Sequence, residues 1–194
     1  MKKILPIHFL FFAAVLFTSC SVEDLAVLKA DNIDENLLTA NITHNELLGT
    51  WKLTKMETEE PADLNGDNVK NNNLLLETDC FDVMSITFND DKTFSSVNAR
   101  MNFKAGASND QFECMGKGSK PDEGTWEIDG DILTLKIKIN ENTYEHNKKL
   151  TFSGNSFSFK VEKQESQQYI KNDPKGTAAE NITVIELEYS LPSQ

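Results

Sequence analysis

From Leu47 onward, apolar residues recur at every second position, and this one pattern excludes most folds. Met84, Ile86 and Phe88 alternate with Val83, Ser85 and Thr87. Val97, Ala99, Met101 and Phe103 alternate with Asn98, Arg100, Asn102 and Lys104. Leu133, Leu135, Ile137 and Ile139 alternate with Thr134, Lys136 and Lys138, and Phe157, Phe159 and Val161 repeat the rhythm, as do Ile185, Leu187 and Tyr189. A period of two gives each segment one face for a core and one for water, which is the signature of half-buried strands. Phe94 is out of phase with Val97, which predicts a bulge near Ser95-Ser96.

Tight turns join these runs. Asn89-Asp90-Asp91-Lys92, Asp129-Gly130-Asp131 and Ser153-Gly154-Asn155 supply residues that tolerate hairpin geometry. Strands are expected at about 49–58, 81–88, 93–104, 111–115, 124–129, 131–140, 144–153, 155–163 and 181–190. The fold class is therefore all-β, an antiparallel up-and-down barrel or sandwich of about 8–9 strands. Three polar segments, 59–73, 105–123 and 164–180, read as long loops.

The chain begins differently. Lys2 and Lys3 precede an apolar run from Ile4 to Phe17, too short for a spanning helix. A basic start, a short apolar core and small residues mark an export signal. Leu16-Phe17-Thr18-Ser19-Cys20 resembles the lipobox of bacterial lipoproteins. That resemblance implies removal of residues 1–19, lipidation of Cys20, and attachment to the bacterial outer membrane, facing the periplasm or the cell surface. More than one acyl chain is needed for a stable anchor. Residues 20–45, with Glu23, Asp24, Asp31, Asp34 and Glu35, read as an acidic tether, and 46–194 as the barrel domain. The acidic pair soon after Cys20 resembles the surface-export tag of Bacteroidetes-type lipoproteins.

The net charge of −12 argues against nucleic acid as a partner, because phosphate backbones repel such a chain. An anionic membrane surface would repel it too, leaving the lipid as the expected attachment. Arg100 is the sole arginine, so no arginine cluster exists for phosphate clamps. With Cys20 lipidated, Cys80 and Cys114 form an even pair in an oxidising compartment, and a disulfide is expected.

Leu47-Leu48-Gly49-Thr50-Trp51 opens the first strand with a Gly-x-Trp. It is similar to the opening motif of the lipocalins, where the tryptophan plugs the closed end of the barrel. Leu64-Asn65-Gly66-Asp67, Leu74-Leu75-Leu76-Glu77-Thr78-Asp79-Cys80, Ile86-Thr87-Phe88-Asn89 and a second Gly124-Thr125-Trp126 extend the match. Together they resemble the lipocalin-like domain of Bacteroidetes-type lipoproteins, over about Leu47 to Tyr189. The resemblance implies a barrel that binds a small, partly apolar molecule without catalysis. No arginine follows Arg100 to stack on Trp51, and no Thr-Asp-Tyr is present, so the lipocalin pocket itself is not carried over.

No catalytic constellation or cofactor motif stands out, and His44 and His146 lie in neither a nucleophile nor a zinc motif. Asp63, Asn65 and Asp67 alternate like the oxygen ligands of a calcium loop, but Leu74 stands where the bidentate Glu is needed, so at most weak binding is expected. A monomer is expected. The alternative function is a surface module with a filled barrel, binding a protein or glycan through its long loops, since a barrel of this size can be filled by its own side chains.

Overall fold

The computed structural model describes residues 41–103, 112–139, 141–171 and 182–192. The signal segment, Cys20 and the tether up to residue 40 lie outside the described residues.

A one-turn helix α1 (His44–Leu47) precedes β1 (Gly49–Ala62), which continues beyond the expected 58. Then come β2 (Asn71–Asn73), β3 (Ser85–Phe88), β4 (Thr93–Val97), β5 (Arg100–Phe103) and β6 (Phe112–Met115). The second half holds β7 (Asp122–Asp129), β8 (Ile132–Ile139), β9 (Asn142–Phe152) and β10 (Ser156–Lys160). A short helix α2 (Lys163–Ser166), β11 (Ile170–Lys171) and β12 (Val184–Ser190) follow.

Eight of these strands pair in the cyclic order β1-β3-β4-β7-β8-β9-β10-β12, with β12 returning to β1, and β2 adds to β1 outside the ring. Every barrel pairing is antiparallel. This is an up-and-down barrel, and closure leaves its eight strands with no open edge between them. A smaller sheet of order β11-β5-β6 stands beside it, tied to the approach to β3 by the Cys80–Cys114 disulfide.

Two expectations need correction. The break in the 93–104 run falls at Asn98-Ala99, not at Ser95-Ser96. Phe94 and Ser96 face inward on β4, Ala99 is buried in the break itself, and Met101 and Phe103 are buried on β5 in a different sheet. One alternating stretch therefore contributes to two sheets that share one hydrophobic core. Ile139, in phase with the buried Leu133, is 50 % exposed, because β8 runs past the rim of the barrel.

Candidate ligand-binding site

The motif tryptophans share one end of the barrel. Gly49 adopts a φ of +118°, a conformation an L side chain resists, and this lets the chain turn into β1. Trp51 is fully buried, and its indole N–H donates to the Leu47 carbonyl of α1 at 2.7 Å. Its ring meets Phe157 edge-on at 5.0 Å. Gly124 has a different reason to be glycine. A Cβ there would sit 2.1 Å from the Lys136 carbonyl oxygen and 2.8 Å from the Phe94 ring. Trp126 donates to the Asn89 carbonyl at 3.2 Å and packs on Phe88 at 4.9 Å. His44 stacks flat on Trp126 at 4.7 Å, and Ile42 is buried with its amide bonded to Gly130. The chain thus packs against the barrel ahead of the expected boundary at 46. These buried rings and satisfied indole donors seal this end.

At the opposite end the interior opens into a cavity of about 270 Å³. Its apolar wall includes Leu133, Leu135, Ile137, Phe157, Phe159 and Tyr189. Phe157 and Phe159 both stack on Tyr189, with centroids 5.4 and 6.2 Å away. Polar groups gather on one side, where β9 presents His146 and Lys148 across from Leu135 and Leu133 of β8.

Residues 161–171 cross this end. β10 and β4 stand opposite each other in the ring, and the segment leaves β10, forms α2, and pairs as β11 with β5, just after β4. Two contacts fasten the strap: the Val184 amide donates to Ser166 Oγ at 2.8 Å, and the Met101 amide to the Tyr169 carbonyl at 2.8 Å. Glu165, Gln168 and Tyr169 of the strap line the cavity. Lys148 Nζ donates to both Glu165 carboxylate oxygens at 2.5 Å. Burial pushes the Glu165 carboxyl up, but the Lys148 hydrogen bond, the Glu162 amide and the charges of Lys148 and His146 outweigh it and leave it below its ordinary value. Burial, with the Glu165 charge, pushes the Tyr169 phenol up to about 12. Tyr189 is held well above its ordinary value by burial and then by Tyr169.

The other sequence candidates lie elsewhere. Cys80 and Cys114 are bonded, with Cα atoms 5.3 Å apart, outside the barrel interior. In the loop between β1 and β2, Asp63 accepts from the Gly66 and Asn68 amides at 2.8 and 3.1 Å. Asn65 accepts from the Asp67 amide at 2.9 Å, and Asp67 from the Val69 amide at 2.7 Å. These oxygens therefore brace the turn. A wider cleft of about 690 Å³ runs along Glu59, Glu60, Arg100 and Lys171, but it adjoins residues outside the described set.

Sequence reading placed none of His146, Lys148, Glu165 or Tyr169 in a site. A signal existed for two of them. His146 and Lys148 keep the parity of Leu150 and Phe152, so alternation assigns them to the same face of the strand. Glu165 and Tyr169 had no such signal, because they lie in a segment that reads as a polar loop.

A search among curated proteins gives no match, and a search among solved structures gives none either. Residues 47–159, more than half of the chain, match the family described as Lipocalin-like domain. With an eight-stranded closed ring, a tryptophan-plugged end and a cavity at the other, the chain belongs to the lipocalin-like domain family.

Proposed function

We propose that this protein binds a small, partly apolar molecule inside its barrel, without catalysis, while anchored to the bacterial outer membrane through lipid on Cys20. The cavity of about 270 Å³ at the strapped end carries the reading. An apolar cavity of roughly 150 Å³ accepts benzene, so this one has room for a ligand of about ten non-hydrogen atoms. Concave, mostly apolar walls with a few convergent polar groups are the usual form of a small-molecule site. The same cavity weighs against a barrel wholly filled by its own side chains and a function confined to the loops.

The test is native mass spectrometry of the protein purified from its own host. A bound small molecule is expected, and Leu135→Trp, which places an indole in the cavity, should exclude it. Retention of the molecule by a folded Leu135→Trp variant would move the site out of the barrel. The anchor is tested separately. Cys20→Ala should release the protein into soluble fractions, and continued membrane fractionation of that variant would overturn the lipid reading.

A further inference from the structure

The open end has an unusual charge arrangement. Its wall carries two inward bases, His146 and Lys148, on the same face of β9. Lys148 is only 16 % exposed, and its Nζ lies 5.5 Å from the Phe159 ring centroid. A cation in such a wall is tolerated only when paired. Its partner comes from the strap, where Glu165 gives Lys148 both carboxylate oxygens. The remaining acid of the cavity, Asp122, accepts from the Asn98 side-chain Nδ2 at 3.0 Å. The barrel therefore holds a fixed cation, and the carboxylate that satisfies it sits on a separate, short segment.

We propose that the ligand is a small amphipathic monocarboxylate whose carboxylate takes the place of Glu165 on Lys148. The inference rests on the barrel cavity being the ligand site. The apolar body lies against Phe157, Phe159 and Tyr189, and the head reaches Lys148, with His146 two residues away on the same face. One carboxylate replaces another, so Lys148 stays paired throughout the exchange. The displaced Glu165 gains water as its part of the strap lifts. The Ser166–Val184 and Met101–Tyr169 bonds keep the rest of the strap attached. A neutral ligand of the same shape has no head with which to replace Glu165. An amine would meet Lys148 with like charge, and like charges in a shielded site repel strongly.

The full chain is titrated calorimetrically at neutral pH with octanoate, octanol and octylamine, which share one alkyl body. Octanoate is expected to bind at least about tenfold more tightly than octanol, and octylamine more weakly than either. Lys148→Met should equalise octanoate and octanol. Glu165→Gln should tighten octanoate, because the competing carboxylate is gone. Equal affinity for octanoate and octanol in the native chain, or a preference for octylamine, overturns the carboxylate inference and leaves the barrel site standing. Binding of none of the three overturns the carboxylate inference, and the barrel site is then decided by the co-purified molecule and its exclusion by Leu135→Trp. Should Lys148→Met fail to fold, the native preference and the Glu165→Gln result decide the question.

Discussion

At one end of the barrel Trp51, Trp126, Phe88 and Phe157 fill the interior, while at the other the same sheet leaves a cavity floored by Leu133 and capped by a strap. The strands are continuous between the two ends, so backbone geometry does not make the difference. Side-chain volume does. Along β8 the inward series runs from buried Leu133, through half-buried Leu135 and Ile137, to exposed Ile139. Aromatic rings occupy the closed end, whereas beside Ile137 the sheet places Gly124, which has no side chain, and Tyr144, which is 49 % exposed. The closed end is thus packed solid, and the open end leaves free volume. Packing there is incomplete, and a lysine is held in place by a glutamate from another element.

The largest expected effect lies at the closed end. Trp51→Ala should destabilise the fold by about 3–5 kcal/mol, because it removes a fully buried indole and leaves the Leu47 carbonyl without its donor. Leu135→Ala at the open end should cost well under half of that, because the site already borders a cavity. Denaturant unfolding of the two variants compares them, and equal losses would break the contrast between the ends. Next in size is the disulfide. Replacing Cys80 and Cys114 by Ser should cost roughly 2–4 kcal/mol by the loop-closure argument. Thermal unfolding of the oxidised and substituted chains measures it.

Acid should act on the two ends unequally. Glu165 has a folded value below its ordinary 4.5, so it releases its proton more readily in the folded chain than in the unfolded one. Its contribution is complete above 4.5 and is lost as pH falls through the depressed value. Hydrogen exchange at 163–171 should therefore quicken in that range before exchange in β1 and β3 does. Simultaneous loss at both ends would show that the strap is no separate element. In alkali the sign is reversed. The Tyr169 phenol is held neutral up to about 12 against an ordinary 10.0, so its contribution is present below 10.0 and lost as pH rises toward 12. Stability should decline across that window, and Tyr169→Phe should flatten the decline. The smallest effect is expected from calcium. Asp63, Asn65 and Asp67 already accept backbone amides, so millimolar calcium at fixed ionic strength should leave the melting temperature nearly unchanged. A rise of several degrees, lost in Asp63→Ala, would make the loop a metal clip.

Much of the barrel was legible in the chain, because strand parity is a local property. Leu133, Phe157 and Leu187 announce their face by alternation alone, and Gly130 and Gly154 mark hairpins at the expected places. The pairing of Cys80 with Cys114 followed from the count of cysteines and the expected compartment. The break at Asn98-Ala99 was not legible. Alternation tells which residues share a face, but not which sheet that face belongs to. For the same reason the gap in the barrel's filling was hidden. Ile137 and Ile139 carry the same local pattern as Leu133, and only the position of the rim separates a core residue from an exposed one.

By itself, then, the sequence determined an all-β chain with an inward face, its turns and a tryptophan at the head of the first strand, and it made a Cys80–Cys114 bond the expectation. These depend on interactions between near neighbours or on simple stoichiometry. Only the tertiary structure decided where the barrel is full and where it is hollow. It alone brought Glu165 to Lys148, carrying a loop-like segment from β10 across to β5. A contact between residues on different elements has no periodic signature, because it is made by the path of the chain through space.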